Sequence, residues 1–210
     1  VIENLRKWAF RSVAHPMGIS QSMNLDSFEI IPLSNLHNLR EVANAFWALA
    51  YFRNDDKAVD AVLQQIRTVE RYLDYETGVW DEEAFVLERA GRTNYSTPKL
   101  VRPFPFYFGR YIGPLVKLYR DCGLTEAGNQ ASALVRLAFN NVLFEDGAFV
   151  ADRFGDHTHS TTSMLSGLAL YGQVMGDESV LKRVHAFVQN GLNEISIPTG
   201  WCIERVSRED

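Results

Sequence analysis

Cysteine is scarce: Cys122 and Cys202 are the two in 210 residues, far apart and without CxxC spacing. Neither a disulfide framework nor a zinc knuckle is encoded, and the redox compartment stays open. No apolar run reaches the roughly 18 residues that a membrane helix needs, so no membrane partner is expected. A basic excess is also lacking. Lys and Arg number 21 against 26 Asp and Glu, a formal charge of −5. Phosphate contacts need a basic surface, so nucleic acid is not an expected partner. Walker, GxGxxG, GxSxG and HExxH patterns are all missing, so no nucleotide cofactor is indicated and none of any kind is assigned, although pyridoxal phosphate and flavin stay open. No charged-then-apolar leader opens the chain, and it does not begin with Met. The location stays open between cytoplasmic and secreted after processing.

What is present is apolar residues at helical spacing. The chain is long enough for a single domain over 1–210 that buries its own core. In residues 35–53, Leu36, Leu39, Val42, Ala43, Phe46, Ala50 and Phe52 recur near one face, with Ser34 as the expected N-cap. A second helix is expected from Asp55 to about Tyr75, with Val62, Ile66, Val69 and Leu73 on its stripe. Two further pairs are expected, at 107–122 with 125–143 and at 160–175 with 177–194. Gly176 is a natural helix stop, and Asp177 a natural cap for the next helix. A separate N-terminal helix is expected at 1–14.

The pairs repeat. Each first helix ends on a tyrosine: Tyr51, Tyr119 and Tyr171. Each pair is followed by a glycine and an aromatic: Gly78 with Trp80, Gly147 with Phe149, and Gly200 with Trp201. Degenerate repetition of a helical hairpin and a returning loop predicts an all-α fold. Two architectures fit, an open solenoid and an (α/α) toroid or partial toroid with first helices inside and second helices outside. Residues 163–175 carry no charge, as expected of a helix buried on both sides.

Residues 156–171 (DHTHSTTSMLSGLALY), followed by Gly176-Asp177-Glu178, resemble a hairpin of the six-hairpin glycosidase-like superfamily. The resemblance covers about 35–205 as a style of repeat. It implies an (α/α) toroid and carbohydrate processing by hydrolysis or lyase chemistry. It assigns no catalytic residue. That superfamily closes its ring with six hairpins and this chain has three clear ones, so a homo-oligomer or an additional chain segment would be needed to close the toroid.

In such a repeat the returning loops share one rim, and long loops usually build the site. One cluster there is Asp152-Arg153-Phe154-Gly155-Asp156-His157-Thr158-His159. Imidazoles and carboxylates at a helix start suit acid/base work by Asp156, His157 and His159, with Arg153 on the substrate. Alternatively, Asp156 or Thr158 caps the helix and the histidines pack or face solvent. A metal would need three ligands, and none is assigned. The second cluster is Trp80-Asp81-Glu82-Glu83, where an aromatic beside acids suits a sugar. The bland alternative is Trp80 as a core plug beside an exposed helix start. In the third, Gly200-Trp201-Cys202-Ile203-Glu204-Arg205, Trp201 would stack and Glu204 would act across the rim, or equally Glu204 and Arg205 are solvated charges. Arg92 and Tyr95, in a polar loop, are candidate substrate contacts. His37 is a further rim candidate.

The leading expectation is a glycoside hydrolase or polysaccharide lyase acting on a glycan or glycoside. The alternative is a non-catalytic helical-repeat binding or assembly module. A terpene-cyclase-like toroid lacks support, because DDxxD and DxDD are missing.

Overall fold

The computed structural model describes residues 2–12, 18–19, 21–23, 30–90, 104–155 and 157–204. Asp156, Arg92 and Tyr95 lie outside the described residues. The chain is all-α in class, with one small strand pair. In order it forms α1 (Ile2–Ser12), β1 (Gln21–Met23), β2 (Ile30–Ser34), α2 (Leu39–Arg53), α3 (Asp56–Tyr72) and α4 (Glu82–Ala90). Then come α5 (Phe104–Tyr107), α6 (Ile112–Cys122), α7 (Thr125–Asn141), α8 (Ala151–Phe154), α9 (Thr158–Met175), α10 (Glu178–Gln189) and α11 (Gly191–Glu194). The strands pair antiparallel, with Ser22 opposite Ile31 and Met23 opposite Ile30, inside a segment expected to be loop.

Three antiparallel hairpins dominate: α2 with α3, α6 with α7, and α9 with α10. Their tight turns share a cause. The residue ending each first helix is left-handed: Asn54 at φ 48°, Gly123 at φ 68° and Gly176 at φ 67°. Glycine, and secondarily asparagine, tolerate that conformation, which turns the chain back while satisfying a helix carbonyl. Asp177 then caps α10 by accepting from the amides of Ser179 at 3.0 Å and Val180 at 3.3 Å.

The first helices form one layer, with α6 packed against both α2 and α9. The second helices lie behind them, and α3 packs on α7. Arg183 of α10 joins that layer: its guanidinium sits 4.1 Å from the Phe139 ring centroid and donates to the carbonyl of Leu143 at 2.8 Å. Within the front layer α6 and α9 approach closely. A Cβ at Gly167 would stand 2.8 Å from the backbone nitrogen of Gly113. Small residues at such a crossing let the backbones meet.

Several boundaries differ from the sequence expectation. Ser34 belongs to β2, and a 3₁₀ turn at Leu36–Asn38 leads into α2, whose N-cap is Asn38. The helix α3 stops at Tyr72, where Leu73 turns extended and bridges to Trp80. Phe52, expected on the apolar face of α2, is 65% exposed. The uncharged helix α9 is not buried all round: Ser166 and Gln173 are exposed. Uncharged polar residues at 163, 166 and 173 make an open stripe that a count of charges does not reveal.

Candidate functional site

The starts of the three front-layer helices come together. Ahead of α2, His37 occupies the 3₁₀ turn, and Glu41 lies in the first turn of the helix. Ahead of α6, a second 3₁₀ turn, Gly109–Tyr111, carries Arg110, which is buried. Arg110 donates to Glu41 Oε1 at 2.5 Å and has its other terminal nitrogen 3.0 Å from His37 Nδ1. Phe106 of α5 lies tilted against the His37 ring, centroids 4.9 Å apart, and meets His157 edge-on at 5.2 Å. His157 is the residue before α9, and its Nδ1 lies 3.0 Å from Ser160 Oγ. His159 lies edge-on to it at 5.6 Å and is exposed. Glu41, Arg110, His37, Phe106 and His157 thus form one continuous set at one end of the stack.

Electrostatics follow from this geometry. Partial burial, then the Arg110 cation, hold His37 below the ordinary imidazole pKa. His37 is therefore neutral near pH 7, with its Nδ1 lone pair accepting from Arg110. Burial also lowers the Arg110 pKa, which Glu41 opposes. A guanidinium starts so far above neutrality that it stays charged. Its bond to Glu41 supplies the compensation that a buried cation requires.

A groove of about 380 Å³ runs from Arg110 along the open faces of α2, α6 and α9. Arg40 and Asn44 line it from α2, Lys117 from α6, and Ser163, Ser166 and Gln173 from α9. Gly113 and Gly167, where α6 and α9 touch, also line it. Lys117 is held by Asn44 Oδ1 at 3.2 Å and by the Trp47 ring face at 4.6 Å.

The sequence-derived candidates divide. His157 and His159 meet at the start of α9. Glu204 reaches the same place through its backbone: its carbonyl accepts from the Thr158 amide at 3.1 Å, while its side chain is exposed. Thr158 Oγ1 also donates to the Ile203 carbonyl. The third returning loop is thereby tied to the start of α9.

Trp80 is a correction. It is 2% exposed, packs among Tyr72, Phe85 and Phe108, and donates its indole N–H to Glu82 at 2.9 Å. No sugar can stack on it. Nor is the start of α4 the exposed acidic turn of the bland alternative, since Glu82 is also buried. Asp81 caps α4, accepting from the Ala84 amide at 2.9 Å. Trp201 is 76% exposed in the returning turn after α11, and Arg153 is exposed on α8.

Sequence reasoning missed Glu41, Arg110, Arg40 and Lys117 and gave His37 little weight. Arg110 and Lys117 interrupt an otherwise apolar stretch from 104 to 118, and that interruption was the available signal. Among the described residues no group of three His, Cys, Asp or Glu could hold a metal ion. No helix among them is long and apolar enough to cross a membrane.

Comparison with models of known protein families, with curated proteins and with solved structures finds no match.

Proposed function

We propose that the chain is a carbohydrate-processing enzyme of the glycoside hydrolase or polysaccharide lyase type. On this reading its three hairpins are part of an (α/α) toroid, and the glycan lies on the open face of the front layer. One observation carries the proposal: the starts of α2, α6 and α9 gather two imidazoles, a carboxylate and a guanidinium, and that guanidinium, Arg110, also lines the groove.

Breaking a glycosidic link needs a group to take a proton and a group to give one to the leaving oxygen. His157, steadied by Ser160 and Phe106, is the proton-handling group of this proposal, and His37, kept neutral, helps to hold Arg110. Arg110 orients the substrate, and Glu41 holds Arg110. Asp81 serves as a helix cap, and Glu204, whose carbonyl meets the start of α9, stays a candidate partner through its exposed carboxylate.

The test is turnover on a panel of neutral and acidic oligosaccharides by the wild type, His157→Ala and Glu41→Gln, with melting curves alongside. Wild-type turnover is expected, with a fall of about 10²- to 10⁴-fold in His157→Ala, the scale of losing an acid/base group. Turnover that survives both substitutions removes this cluster from the chemistry. No turnover on any glycan by a folded wild type selects the binding-module reading.

A further inference from the structure

The chain is acidic overall, yet the groove on its open face is basic. Its lining residues include Arg40, Arg110 and Lys117 and no Asp or Glu. Glu41, just outside the lining, is committed to Arg110 at 2.5 Å and stands 3.8 Å from Arg40, beyond a good hydrogen bond. Lys117 is steadied by a neutral amide and a ring face, neither of which cancels its charge. Burial first, and then Arg40 and Arg120, lower its pKa, with Asp121 opposing. Two cations from separate helices therefore face the same space, Arg40 with only the long contact to Glu41 and neither with a carboxylate in the lining. Such a local positive potential attracts an anionic ligand.

The rest of the lining mixes apolar residues, Pro114, Ala169 and Leu170, with polar ones that narrow the ligand class. Asn44, Ser163, Ser166 and Gln173 offer hydroxyls and amides, the groups that hydrogen-bond sugar hydroxyls. From Ser163 to Gln173 the α9 stripe runs about 15 Å along the helix axis, longer than a single sugar ring. Deepening the glycan reading, on which it rests, we infer that the groove binds an acidic oligosaccharide, with carboxylates or sulfates on its rings paired to Arg40 and Lys117.

The experiment is calorimetric titration of the whole chain with four probes. They are a galacturonate tetramer, the methyl ester of that tetramer, a sulfated heparin tetrasaccharide and tripolyphosphate. The expected result is that one or both acidic sugars bind at least about tenfold more tightly than the methyl ester. That affinity should fall as salt rises, because exposed charge pairs are screened. Arg40→Gln and Lys117→Gln should each weaken it about 5- to 20-fold, with melting temperatures unchanged. Which acidic sugar binds distinguishes carboxylate from sulfate. Equal binding of the methyl ester, unaltered binding by both variants, or tripolyphosphate binding as tightly as the sugars would overturn the inference. Turnover of neutral glycans with no affinity for acidic ones would sink this inference and leave the enzyme reading standing. Acidic-sugar binding without turnover of any glycan would do the reverse.

Discussion

On α9 the closed and open faces are one residue apart. Leu168 and Gly167 are shut into the stack, while Ser166 next to them is exposed. The same division runs through the other front helices: Val42 and Phe46 against Arg40 and Asn44 on α2, and Leu115 and Leu118 against Lys117 on α6. The closed face meets the packing demand of the hairpin stack, where every methylene counts. The open face has no such demand on it, yet it carries cations, amides and hydroxyls. On the proposed function, that composition serves a ligand.

The largest effects should come from the closed side. Trp80→Ala should cost about 3 to 5 kcal/mol, since it empties an aromatic cluster and removes the indole donor from the buried carboxylate of Glu82. Denaturant melts will measure it. Leu168→Ala should cost about 2 to 5 kcal/mol, and a loss below about 0.5 kcal/mol would contradict the closed-face assignment.

Gly167→Ala tests the seam between the faces. Its new methyl would meet the Gly113 nitrogen at 2.8 Å, so α6 and α9 must separate, at about 1 to 3 kcal/mol. On the open side, Lys117→Gln should leave stability within about 0.5 kcal/mol and act on ligand binding instead.

The smallest effect is one of pH. His37 has a lowered pKa in the folded state. As pH falls below about 6.5, the unfolded chain takes the proton first, so stability declines with falling pH. His37→Gln should flatten that slope slightly in melts between pH 5 and 8. An unchanged slope would remove His37 as its source.

The hairpins were legible because their physics is local. Helical spacing, a left-handed turn residue and an aspartate cap each sit within a few residues of one another. The site was legible only where it was local too. The His157–His159 pair shows in sequence, but the Arg110–Glu41 bond joins residues 69 apart in the chain. Nothing in either stretch announces the other. Trp80 and Trp201 show the remaining limit. Counted from Gly78 and Gly200, the bridge-forming positions are Trp80 and Cys202, not the two tryptophans. The alternation of an extended segment puts Trp80 inward, while Trp201 falls on the outward position occupied by Val79. Two similar motifs one residue out of register thus have opposite burial.

The central claim is that the open face of α2, α6 and α9 is the working surface. Backbone amide shifts of the isotope-labelled chain, followed during titration with an acidic tetrasaccharide, test it most directly. The account predicts perturbations concentrated at His37, Arg40, Arg110, Lys117, Ser163 and Ser166. Perturbations confined to the hairpin turns at Asn54, Gly123 and Gly176, or to the turn carrying Trp201, would contradict it.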